Sequence, residues 1–248
     1  MNEENDFEDL SPDEVFGETE EQDEFFYEAF LETADEFPEI PIFGQEAVVF
    51  PMENMTLEVT DPEAQEMFAE VFEGDGLVGI AYQPQGEQSR PPVGTLGVAA
   101  GIKEIIKTDF GKVHLVKIWG MTRFEIDGYV VSRKPVPIAK VSYFQDDARK
   151  DETPLVALKI DELRGLLRQW LALSNKPNKN LAKNLPDTVT VAEAEMYSFF
   201  FWRWTKLPPD VRQYFLGLRS TLKRLIALAF QFEVAIRELK DRYRAGNN

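Results

Sequence analysis

The hydrophobic period changes once along this chain, and that change limits the folds open to it. From residue 39 to about 146, short runs rich in Val, Ile, Phe and Tyr alternate with Gly and Pro. Side chains of a strand point to alternate faces, so such punctuated runs read as strands. The predicted strands are Ile40–Phe43, Ala47–Phe50, Thr56–Val59, Leu77–Tyr82, Val93–Ile102, Lys112–Ile118, Arg123–Tyr129 and Ile138–Tyr143. One helix interrupts them. Asp61 is its N-cap, Pro62 suits the first helical position, and Gly74 lies just past the end. Met67, Phe68, Val71 and Phe72 supply its buried stripe.

From Thr153 the apolar spacing becomes that of a helix. Pro154 opens a helix carrying Leu155, Leu158, Leu163, Leu166, Leu167 and Trp170, and Ser174 to Pro186 reads as a polar loop. Asp187 or Thr188 caps a second helix, aromatic from Tyr197 to Trp204. Leu207-Pro-Pro-Asp210 breaks it and starts a third, long helix to about Tyr243. The expected architecture is α+β: a tail over 1–38, a β-rich domain over 39–147 and a helical bundle over 148–248.

Charge follows the same division. The net charge of −17 arises from 44 acids and 27 bases, and 17 of the acids fall in residues 1–39, where no base occurs. The remaining 27 acids are balanced by 27 bases, the first of them Arg90. A leading segment so acidic repels itself and buries too little apolar surface to offset ordering entropy, so disorder is expected. Within it Phe26, Tyr27, Phe30 and Leu31 would share one face if the segment became helical. A solubilising linker is the simpler reading, and a partner-binding motif the sharper one. Residues 203–248 hold more bases than acids, through Lys223-Arg224 and the run Arg237 to Arg244. A solvated cationic helix face accounts for them, although the acidic tail could be attracted to it and lay its apolar face in a groove as a pseudo-client.

The composition excludes much chemistry. There is no cysteine, so disulfides, thiolate metal sites and cysteine nucleophiles are impossible. The one histidine, His114, alternates with Lys112 and Val116 on a strand, which suits a structural residue better than a general base. Gly74-Asp-Gly-Leu-Val-Gly79 matches a dinucleotide motif by letters only, because here a helix precedes the glycines and a strand follows. No P-loop occurs. The pairs Asp146-Asp147 and Asp151-Glu152 read as capping and solvation, and Ser220 with Lys223 as surface neighbours. No membrane-length apolar run appears, and the acidic start is unlike a targeting signal. The expectation is a cytoplasmic protein that is not an enzyme and uses no cofactor and no metal.

Several blocks carry a family resemblance. Ile40-Pro-Ile-Phe-Gly-Gln-Glu-Ala-Val-Val-Phe-Pro51 resembles the opening of the Lon protease N-terminal, substrate-binding domain. Phe72 to Ile80, Val93 to Ile102 and Val113 to Ile126 are similar to its next blocks, in the same order. Arg212-Gln213 and Lys223-Arg-Leu225 resemble the Lys-Gln and Arg-Leu pairs of its helical segment. Asp61-Pro62-Glu63-Ala64 departs from the family's Glu-Pro-Arg-Tyr, and the chain ends where Lon's ATPase and protease modules would follow.

The resemblance implies a stand-alone PUA-like β-barrel with one inserted helix and a C-terminal bundle. It implies a role in binding protein or peptide clients, as an adaptor in proteolysis or quality control, with a protease machine as a further partner. Phe43, Phe50, Met52 and Met55 are the candidate peptide contacts, since Met and aromatic side chains suit promiscuous apolar binding. Gly94 and Gly97 suit turns or close strand packing, Gly120 a hairpin turn, and Trp119 and Phe124 the interior. The alternative function is RNA binding, with Lys103, Lys107 and Lys112 near one hairpin; the acidic tail weighs against it. The oligomeric state has no signature in the sequence.

Overall fold

The computed structural model describes residues 37–84, 90–108, 111–131, 136–147, 153–174, 191–204 and 207–246. Six strands come first: β1 (Glu39–Gln45), β2 (Asn54–Glu58), β3 (Leu77–Tyr82), β4 (Leu96–Lys107), β5 (Val113–Tyr129) and β6 (Ile138–Phe144). Helix α1 (Pro62–Glu73) lies between β2 and β3. After β6 come α2 (Thr153–Leu173), α3 (Val191–Phe200), a 3-10 turn over Phe201–Trp204, α4 (Pro209–Gly217) and α5 (Thr221–Gly246).

The sheet runs β2-β5-β4-β3-β1-β6 and closes through a further β5–β6 pairing. The length of β5 makes this possible. Its first part pairs with β2 (Leu115 to Trp119) and its last part with β6 (Arg123 to Tyr129), while β4 follows it along most of its length. The β1–β3 pair is parallel, with Ile42 opposite Gly79. Parallel neighbours need a crossover, and β2 with α1 supply it.

Helix α1 follows its local chemistry. Asp61 accepts a hydrogen bond from the Ala64 N–H at 2.9 Å, and Gly74 caps the other end. Met67 and Phe68 are buried as expected, but Phe72 is 47% exposed because it lies off the inward face.

Three other expectations are corrected. Ala47–Phe50 is not a strand, although Val48, Val49 and Phe50 are buried. Side chains take its backbone groups instead: the Phe50 N–H donates to Glu53 Oε2 at 2.8 Å, and Arg212 Nε donates to the Val48 carbonyl at 2.9 Å. Gly120 does not turn a hairpin; it lies inside β5. Its N–H donates to the Glu53 carbonyl and its carbonyl accepts from Met52, each at 2.9 Å. A Cβ there would stand 2.3 Å from the Phe50 carbonyl oxygen, so close backbone approach, not turning, requires the glycine. Gly97 answers the same need, since its Cβ would lie 2.4 Å from Phe124 Cζ.

The third correction concerns the last helix, which is two helices broken at Leu218, where the backbone is extended. Ser220 Oγ accepts the Lys223 N–H at 3.3 Å and so caps α5 rather than merely neighbouring Lys223. In α2 the inward stripe is Val156, Ile160, Leu163 and Leu167; Leu155 and Leu158 face solvent. These four pack with Leu225, Leu228, Ala229 and Phe232 of α5 in one apolar cluster that also takes in Val48, Phe50 and Val98 from the strand region. The expected cap at Asp187 or Thr188 lies outside the described residues.

Candidate functional site

The spacing of α1 places two stripes side by side. Glu63, Glu66 and Glu70 recur at helical spacing and are exposed, while Met67 and Val71 lie on the adjoining inward face. Along their boundary runs a groove of about 390 Å³. Pro41 of β1, Leu77 of β3, Val136 just before β6 and Ile138 at its start complete its apolar floor, and Asp75 extends its acidic rim. Its volume falls in the range of ligand-holding clefts. Among the described residues its lining contains four carboxylates and no base.

The four predicted contacts do not assemble into one site. Phe50 is fully buried, under the Arg212 guanidinium at 4.2 Å and against Phe199 at 5.6 Å. Phe43 is half-buried and meets the Phe68 ring edge-on at 5.1 Å. Met55 packs in that same cluster, its sulfur accepting from Gln45 Nε2 at 3.5 Å. Met52, with φ at 64°, borders a different cluster, that of Trp119 and Phe124. The tail positions Phe26, Tyr27, Phe30 and Leu31 lie outside the described residues. At the start of the described chain Phe37 already belongs to the folded unit, since its carbonyl accepts the Tyr143 hydroxyl at 3.0 Å.

Lys103, Lys107 and Lys112 are exposed around the β4–β5 hairpin. Glu104 interleaves with them and pairs with Lys117 at 2.7 Å, which divides the positive surface. His114 is an exposed strand residue whose carbonyl accepts the Val59 N–H at 2.8 Å.

Asp146 and Arg224, expected in solvent, belong to a buried polar cluster. Arg123 and Arg224 are 1% and 0% exposed. Both guanidiniums converge on Asp146: Arg123 Nη2 lies 2.7 Å from Oδ1, Arg224 Nη1 lies 2.8 Å from Oδ1, and Arg224 Nη2 donates to Oδ2. Glu195 of α3 takes a further Arg123 bond at 2.6 Å. The break after α4 frees the carbonyls of Leu216 and Leu218, which accept from Arg123 at 3.0 and 2.8 Å. Asp146 is therefore the hub of a buried ion cluster joining β5 to the helices, not a solvated loop acid. Burial pushes its carboxyl up, but the hydrogen bond and charge of Arg224, the charge of Arg123 and the Thr221 hydroxyl outweigh that and hold it below the ordinary carboxylate range. This arrangement serves cohesion between β5 and the helices.

The family model described as the ATP-dependent protease La (LON) substrate-binding domain matches residues 39–229. The chain belongs to the Lon substrate-binding domain family. Solved structures agree on the fold. The N-terminal domain of Mycobacterium avium complex Lon protease is similar with a TM-score of 0.57 at 16% identity, covering 79% of this chain and 98% of that one. A Lon N-terminal domain protein from Xanthomonas campestris gives 0.50 at 16% identity, covering 77% and 96%. No curated protein sequence matches the chain.

The Lon-like blocks have a physical meaning in this structure. Arg212 ties α4 to Val48 and Glu53, and Gln213 Nε2 donates to the Leu96 carbonyl at 2.9 Å. Arg224 and Arg123 hold the ion cluster. Of the residues that carry the Lon resemblance in the helical segment, Arg212, Gln213 and Arg224 are thus joints between the strand region and the helices. The groove beside α1 instead uses Glu63, where the chain departs from the Lon pattern.

Proposed function

We propose that this Lon-type domain is a non-catalytic module that binds apolar segments of protein clients and acts as a cytoplasmic adaptor in proteolysis or quality control. Its family membership carries the reading. The closed ring of strands is read as a PUA-like barrel, and α2 to α5 as the attached bundle. The groove along α1 is the first binding surface, and Phe43, Met52 and Met55 are half-buried apolar positions that clients could reach. Strand β2 ends the strand order, so an extended segment can pair along its outer edge.

Fluorescence anisotropy with labelled unfolded apolar peptides is the direct test. Saturable binding with Kd at or below about 0.1 mM is expected, and its absence across a varied peptide panel would remove the reading. A second expected outcome is catalytic silence. With or without magnesium, the purified chain should neither hydrolyse ATP nor cleave casein. Turnover that co-purifies with the chain and is lost on a point substitution would contradict it.

A further inference from the structure

We infer that the groove between α1 and the β1–β6 edge selects basic apolar segments: peptides presenting two or three apolar side chains flanked by lysine or arginine. The inference rests on the peptide-binding reading above and adds a ligand class to it. The floor is apolar through Pro41, Met67, Val71, Leu77, Val136 and Ile138, which calls for apolar side chains. The rim decides what flanks them. Glu63, Glu66, Glu70 and Asp75 border the floor, and all four are exposed.

The rim is acidic for a reason built into the chain. No Lys or Arg precedes Arg90, so β1, β2, α1 and β3 bring carboxylates and no cation of their own. Among the described residues, later elements pair with Glu53 through Arg212 and with Glu39 through Lys140 at 3.9 Å, and both of these acids lie outside the groove. From Glu63 to Glu66 the helix rises about 4.5 Å, well within the Debye length of about 10 Å at ~0.1 M salt. Glu63 and Glu66 therefore act on a ligand together, and Asp75 adds its charge to the same rim. A cation beside an apolar anchor gains from all of them, whereas a carboxylate is repelled. The same repulsion disfavours the chain's own acidic tail as the occupant.

The test uses four fluorescent 12-residue peptides. Three share the same Leu and Phe anchors with Lys, Gln or Glu at the flanking positions; the fourth keeps the Lys residues and replaces the anchors by Ser. Anisotropy is read at about 50 and 300 mM salt on the native chain and on the Glu63→Gln/Glu66→Gln/Asp75→Asn variant, with folding checked by circular dichroism. The Lys peptide should bind about tenfold more tightly than the Gln peptide. That advantage should vanish in the variant and shrink at higher salt, and the Ser peptide should bind weakly. The salt series needs only the native chain, so it decides the matter even if the variant misfolds.

Equal binding of the Lys and Gln peptides would overturn the inference while leaving peptide binding intact. So would an advantage that survives in the variant, or tightest binding by the Glu peptide or by a peptide of residues 23–32. Arg133 and Lys134, outside the described residues, precede Val136. If Arg133→Gln/Lys134→Gln were needed before any Lys preference appeared, the chain would be its own cationic occupant, and the inference would fall. Binding of no peptide at all would remove the proposed function together with it.

Discussion

Asp146→Asn is expected to destabilise the domain by about 3–5 kcal/mol at neutral pH, the usual cost of removing one partner from a buried ion cluster. Asp146 is 9% exposed in its side chain and faces two guanidiniums that have almost no contact with water. An amide keeps the shape but removes the one carboxylate that, among the described residues, hydrogen-bonds to both. Glu195 bonds Arg123 directly and reaches Arg224 only through its charge, so it compensates the second arginine less. Arg224 keeps neutral partners, including Ser198 Oγ at 2.8 Å, and its charge is left in a buried site. The effect has a defined pH dependence. Because the folded-state carboxyl titrates below its ordinary value, its stabilisation is complete above the unfolded value of about 4 and is lost as pH falls through the depressed one. The gap between native and variant should therefore be full near neutrality and narrow in acid. Urea unfolding across that range measures it. A gap that stays constant into strong acid, or one below about 1 kcal/mol, would show that Asp146 is not the hub.

What the sequence made legible divides by distance along the chain. The ends of α1 could be read because Asp61, Pro62 and Gly74 act within a few residues of their own helix. The change from strands to helices could be read because periodicity is also local. The single long β5 could not. Gly120 looked like a turn, and only the approach of the Phe50 backbone, from a segment 70 residues earlier, explains it. The break at Leu218 was hidden for the same reason: its carbonyl is held by Arg123, 95 positions away. Arg224 and Asp146 were misjudged because a charged residue is ordinarily solvated, and nothing nearby in sequence announces the opposite charges that let them be buried. The groove was half visible. The glutamate stripe and the apolar stripe of α1 are both periodic, but Pro41, Val136 and Ile138 reach the same place only once β1, β3 and β6 pair. Of the four residues proposed from the resemblance, Phe50 became core because the segment before β2 turns inward under Arg212.

Trp119→Ala is expected to cost about 3–5 kcal/mol, as large-to-small core changes do. The strand pattern assigned Trp119 to the interior, and it is 4% exposed. It sits opposite Asn54 in β2 and Gly101 in β4, just before β5 passes from β2 to β6, in a cluster with Ile42, Ala99, Met121 and Phe124. Two features keep the resulting cavity open. The next residue, Gly120, is bonded on both sides to the Met52–Glu53 segment, so the backbone cannot sink inward. Ring closure fixes the spacing of the strands that face the vacated volume. Met121 and Met52 are the flexible neighbours able to fill part of it, which argues for the lower half of the range. The Lys103 ammonium, 5.6 Å from the indole centroid, loses its ring as well, a smaller term at an exposed cation. Because Trp119 does not line the groove beside α1, the variant that remains folded should bind peptides as the native chain does. Chemical unfolding with a readout other than tryptophan emission measures the cost. A loss below about 1 kcal/mol, or weakened peptide binding at full stability, would move Trp119 from the core to the binding surface.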